Sequence, residues 1–284
     1  MDSTPVIIHT IRHPAMATEF EVRIAGGEPD YAAQAAQAAF TMADRLETLL
    51  SRFTEQSEIS AIAALQPGEQ LRLSEPVFTC LETAAALERF TRGAFALTAT
   101  AARAPGEPPP DWSLNRDALT IACRRGRLAF DLGAIGKGFA LDRMAEELAE
   151  WECPPWLLVA GSSSVLAGAP PPGTTGWEAR LEEGGSVRRC WLAQGALGGS
   201  GVGMQGLHIL DPRTGASAPR RARAWARAHS AAEADALSTA AMVLGEDELA
   251  EIMAARADAQ VILCDAGRWR AYGQPPARVA EDEI

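Results

Sequence analysis

Three stretches of this chain carry residue types at spacings that could do chemistry. The first is Asp131-Leu132-Gly133-Ala134-Ile135-Gly136-Lys137-Gly138. A strand ending in a carboxylate, small residues that let the backbone approach a ligand, and a helix opening beside a lysine would make an anion site suited to a pyrophosphate. The reason is that the N–H groups of a helix start have no partner within the helix. It is not a Walker A loop, because only two residues separate Gly133 from Gly136-Lys137, where four are required. A glycine turn with a solvent-exposed lysine is the plainer alternative. The second stretch is Asp235-Ala236-Leu237-Ser238-Thr239, which places a carboxylate and a hydroxyl at i and i+4 on one helical face. Two such oxygens in the first turns of a helix could hold a hard cation such as Mg²⁺. Equally, Asp235 could complement the helix dipole and Thr239 bond back to the helix. The third is His208-Ile209-Leu210-Asp211-Pro212-Arg213-Thr214-Gly215, a tight turn with Asp211 accepting from its backbone and His208 on a short strand upstream. A lone histidine can be structural, although its titration range suits proton transfer.

The elements that must position these residues follow from hydrophobic period. Alternation in Phe20–Ile24 predicts a half-buried strand, and Tyr31–Leu50 reads as a long helix with Phe40, Ala43, Leu46 and Leu50 on one face. Ser51–Ser57 is a polar loop, Glu75–Phe90 a second helix with Pro76 in its first turn, and 101–113 a proline-rich extended loop. Strands are expected at 127–132, 156–159, 177–181, 188–192, 224–229 and 260–264. Helices are expected from Gly138 to about Glu150 and from 248 to 256. Ser230-Ala231-Ala232-Glu233 is a capping box opening a helix that runs to about Gly245. The Gly198–Gly203 stretch has neither the spacing nor the following helix of a dinucleotide loop. Strands and helices mix without a regular βαβ cadence, which favours an α+β fold.

Composition excludes several classes. With 26 Lys and Arg against 37 Asp and Glu, the net charge is −11 over 284 residues, which argues against a nucleic-acid binder. The basic run Pro219–Arg223 is a local exception. No apolar run reaches the length of a membrane span. The first residues lack a basic region and cleavage site, so a cytoplasmic location is expected for the chain as given, and a periplasmic one if a leader has been removed. The five cysteines include no C-x-x-C pair and the four histidines no H-E-x-x-H, which removes zinc-ribbon, thioredoxin-like and metalloprotease chemistry.

Taken together and in order, these stretches resemble the ApbE family of flavin transferases. Met16-Ala17-Thr18 resembles the family's Met-Gly-Thr, and Ser51–Ser60 its aromatic loop followed by Ser-Glu-(Ile/Leu)-Ser. Gly93-Ala94-Phe95 resembles Gly-Ala-Phe, Asp131–Lys137 is a near match, and His208–Gly215 and Ala234–Thr239 match almost letter for letter. The departures lie elsewhere. Gly161-Ser162-Ser163-Ser164 stands for Gly-Gly-Asp/Asn, Gly199-Ser200-Gly201 for Thr-Ser-Gly, Ala96 for Asp, and Phe53 where Tyr is common.

The resemblance, over about residues 16–272, implies one α+β domain across 1–284. It would have two interleaved α/β lobes with mixed sheets and the FAD and metal site between them. It implies Mg²⁺-dependent transfer of FMN from FAD to a Thr hydroxyl of an acceptor flavoprotein, with release of AMP. The alternatives are hydrolysis of FAD to FMN and AMP, or a non-catalytic flavin-binding relative. Implied metal ligands are Asp235, Thr239 and the carbonyl of Ala134. Implied FAD contacts are Met16, Phe53, Ala94, Phe95, Ala96, Asp131, Lys137 and Ile209. His208 is implied to activate the acceptor hydroxyl.

Overall fold

The computed structural model describes residues 6–98, 108–201, 210–216, 218, 221–276 and 280–281. The chain begins with β1 (Ile8–Ala15), β2 (Thr18–Ala25), α1 (Pro29–Leu50), α2 (Glu58–Ala64), β3 (Gln70–Arg72) and α3 (Glu75–Phe90). Then come β4 (Asp111–Asn115), β5 (Thr120–Arg125), α4 (Gly136–Glu150), β6 (Trp156–Ala160), β7 (Ser164–Ala167), β8 (Trp177–Glu183) and β9 (Ser186–Leu192). The last are β10 (Gly195–Gly201), β11 (Arg223–Ala228), α5 (Ala231–Ala241), α6 (Glu246–Ala254), β12 (Gln260–Asp265), β13 (Arg268–Gly273) and β14 (Ala280–Glu281).

Eight strands form the main sheet in the order β1-β2-β6-β7-β10-β11-β12-β13, flanked by two three-stranded sheets, β14-β9-β8 and β3-β5-β4. The fold is α+β as expected. Every described strand pairing is antiparallel, so the expected mixed sheets are replaced by antiparallel ones. The alternation of β-structure sends successive residues to two cores. Leu158, Ala224, Ala226, Val261 and Leu263 point into the larger core with the helices. Leu157, Trp225 and Ile262 point the other way, against Trp177, Leu181 and Cys190 of the β8–β9 hairpin.

The side chains at the sheet centre are small where α5 lies on it. A Cβ added at Gly198 would fall 2.4 Å from the carbonyl carbon of Ala234, so only glycine lets the helix come this close. That contact gives a role to the glycine at 198, and the Gly-rich segment is β10 through Gly201. Three further expectations shift. Among the described residues, segment 127–132 makes one bridge, Thr98 to Phe130, and forms no strand. The expected loop at 101–113 yields strand β4 at its end. The capped helix ends at Ala241, not near Gly245.

Candidate functional site

The starts of α4 and α5 meet face to face, and each helix caps the other. Gly138 lies in the first turn of α4, where its N–H has no acceptor within the helix; Asp235 of α5 supplies one, with Oδ2 at 2.9 Å. In return Asp142 of α4 accepts the N–H groups of Ala231 at 2.7 Å and Ala232 at 2.9 Å, at the start of α5. Ser230 completes that cap through its hydroxyl, which accepts from Glu233 at 3.2 Å. The crossing is possible because position 138 is glycine: a Cβ there would sit 2.2 Å from the Ala231 carbonyl oxygen.

Asp235 is 6% exposed, and its carboxylate also accepts the Ser164 hydroxyl, at 2.8 Å to Oδ1 and 2.9 Å to Oδ2. Burial pushes the carboxyl up to about 6, against the charge of Lys137 and the bonds from Ser164 and Gly138, which hold it down. Every residue of α5 is buried except Thr239, which is half-buried. The Thr239 hydroxyl lies 3.2 Å from the Ser200 hydroxyl on β10, which is also 2.9 Å from that of Ser238. Ala134 stands in the turn just before α4 and is half-buried. Among the described residues no three His, Cys, Asp and Glu side chains gather. Asp235 and Thr239 offer a carboxylate and a hydroxyl one turn apart on α5, and the Ala134 carbonyl stands in the turn before α4; all three are oxygen donors of the kind Mg²⁺ accepts together with waters and phosphate. A buried carboxylate that Lys137 offsets only in part suits such a cation, so the residues fit the group.

Lys137 links this cluster to a cavity of about 290 Å³. Four residues from distant parts of the sequence line it together: Met16, Phe53, Asp131 and Lys137, with Glu47 and Arg52 between them. Met16 and Ala17 form the two-residue turn between β1 and β2 with φ of 49° and 56°, a left-handed pair in which Asn-Gly is usual. Phe53 is 84% exposed on a loop tied down by Ser51 and Ser57. The Ser51 hydroxyl accepts from the Phe53 N–H at 3.2 Å and the Thr54 hydroxyl at 3.0 Å. Ser57 caps α2 through Ser60 at 3.0 Å and donates to the Ser51 carbonyl at 2.5 Å. Asp131 accepts from the Gly133 N–H at 2.9 Å, which fixes its orientation at the turn.

Not every predicted residue joins them. Ala94 and Phe95 are buried in the larger core and do not line the cavity. Their segment runs beside the site, since the Asp131 N–H donates to the Leu97 carbonyl at 2.8 Å. His208 and Ile209 lie outside the described residues. The turn after them forms as expected: Gly215 N–H donates to the Asp211 carbonyl at 2.8 Å, and Asp211 Oδ1 accepts from the Arg213 N–H at 2.9 Å. Sequence reading missed Ser164, Asp142 and Arg52. Ser164 and Asp142 act on partners 71 and 89 residues away, which no local spacing reveals. A larger cavity, about 620 Å³, borders Asp142, Arg143, Trp156 and His229, and none of the predicted site residues lines it.

The family model for the ApbE family matches residues 16–263. Among solved structures, the ApbE protein of Thermotoga maritima superposes with a TM-score of 0.78 at 21% identity, covering 94% of this chain and 97% of that one. The flavin transferase ApbE from Vibrio cholerae gives 0.78 at 19%, with the same coverage. The apo form of the Pseudomonas stutzeri flavinyl transferase ApbE gives 0.77 at 20%, covering 95% and 96%. No curated protein matches the chain. At these identities the structures show a shared fold, while the family match spans most of the sequence: the chain belongs to the ApbE family.

Proposed function

We propose that this chain is an FAD:protein FMN transferase, which moves the FMN half of FAD onto a Thr hydroxyl of an acceptor flavoprotein and releases AMP. Membership of the family and the fold shared with flavin transferases support flavin transfer in general. The observation that carries the reading is the convergence of Met16, Phe53, Asp131 and Lys137 on one cavity, with Lys137 also facing the Asp235 cluster.

In this reading Phe53 offers its exposed ring as a face for a flat ring system. Lys137 and the N–H groups at the start of α4 attract the pyrophosphate. Asp235, Thr239 and the Ala134 carbonyl would hold Mg²⁺, which when bound neutralises charge on the phosphates and on the departing AMP. The acceptor Thr oxygen attacks the phosphorus of the FMN phosphate, the bond from that phosphorus to the bridging oxygen breaks, and AMP leaves with that oxygen. His208 takes the hydroxyl proton. Phosphoryl transfer of this kind is mostly positioning and charge neutralisation, which is what the rigid α4–α5 crossing supplies.

The test is incubation of the purified chain with FAD, Mg²⁺ and a cell extract, followed by a denaturing gel read for flavin fluorescence and assay of AMP. Fluorescent protein bands appearing together with AMP are expected. AMP without a flavinylated protein would replace transfer by hydrolysis, and neither product would leave a non-catalytic relative.

A further inference from the structure

Arg52 bears on how an acidic chain holds a dinucleotide. Four charged residues line the 290 Å³ cavity: Glu47, Arg52, Asp131 and Lys137. Among the described residues, two carboxylates and two cations leave its wall neutral; without Arg52 they would sum to a net negative charge in a molecule already at −11. A pyrophosphate would then meet repulsion, which Lys137 alone would not outweigh. The Arg52 guanidinium lies 3.4 Å from Asp131 Oδ2 and 4.7 Å from the centre of the Phe53 ring. Both ends of the ion pair are well exposed, at 47% and 38%, so the pair is weak and exchangeable. Arg52 also walls a second cavity of about 400 Å³, which gives its head room to move. Arginine further suits the task because its planar fork binds two phosphate oxygens at once and stacks on an aromatic face.

We propose that Arg52 is a positioning residue for the substrate's pyrophosphate: in the free protein it neutralises Asp131, and on binding it turns from that carboxylate to the phosphate oxygens while remaining against Phe53. This rests on the flavin-dinucleotide reading above.

The experiment is titration of the full chain and of Arg52→Met with FAD and with riboflavin, followed by flavin fluorescence at low and at high salt. Methionine keeps an apolar stem beside Phe53 and removes the guanidinium's charge together with its N–H donors. The expected result is FAD binding weakened by about tenfold at low salt, as for loss of one charge-assisted contact. The loss should shrink at high salt, and neither riboflavin affinity, which involves no phosphate, nor melting temperature should change. Unchanged FAD affinity, or an equal loss for FAD and riboflavin, would overturn the proposal and leave the flavin reading intact. A wild-type chain that binds no FAD would overturn both.

Discussion

Asp235 does two things at once: its carboxylate caps α4 through Gly138 and presents oxygen to the space beside Lys137 and Thr239. Substituting it should therefore affect both chemistry and folding, whereas Ser164 affects mainly how the carboxylate is held. Asp235→Ala is expected to lower Mg²⁺-dependent AMP release from FAD by at least about a hundredfold, as for loss of the anionic ligand of a catalytic cation. Ser164→Ala should have a smaller effect, raising the half-saturating Mg²⁺ concentration by roughly tenfold, as is typical of a residue that orients a ligand. A Mg²⁺ titration of turnover checks both; an unchanged midpoint in Ser164→Ala would mean that its hydroxyl merely fills space. The Asp235/Thr239 pair was legible because i, i+4 is local geometry. Ser164 was not, because it is antiparallel pairing of β7 with β6 and β10 that carries it under α5.

The two helix starts form one unit at the scale of elements. Each depends on a carboxylate from the other, so loosening either should loosen both. Asp142→Ala, which strips acceptors from two buried N–H groups, is expected to cost about 1–3 kcal/mol in urea unfolding. Gly138→Ala drives a methyl into the Ala231 carbonyl and should cost a similar ~1–3 kcal/mol. Burial pushes the Asp142 carboxyl from 3.8 up to about 7, against the two N–H bonds that hold it down. Between those values the folded chain keeps a proton that the unfolded chain releases, so this group's stabilising contribution is present at low pH and lost as pH rises through about 7. Asp142→Asn does not titrate; its stability relative to wild type should therefore improve from pH 5 to pH 8, and a constant gap would contradict the assignment. Sequence reading found the Ser230 capping box because its partners are three residues apart. It placed α1 from period, α3 with the help of Pro76 in its first turn, and strands at 177–181 and 188–192 within β8 and β9. It assigned no element to Gly198–Gly201, since glycine carries no hydrophobic period, and here glycine marks the close approach of α5 to the sheet.

At the scale of the whole molecule, the proposed activity requires a chain at −11 to bind a dianionic dinucleotide against its own average field. The main sheet answers this by gathering the exceptions: the hairpin turn of β1 and β2, the Ser51–Ser57 loop and the α4 start bring Arg52 and Lys137 to one cavity. Net charge says nothing of this local balance, which exists only once residues 47, 52, 131 and 137 are neighbours. The most direct test of the central claim is AMP release from FAD by the wild-type chain and by Asp235→Ala, side by side over a range of Mg²⁺ concentrations. Release by wild type that requires Mg²⁺ and is lost in the variant is the predicted result; no AMP from wild type at any Mg²⁺ concentration, or equal release by both chains, would contradict it.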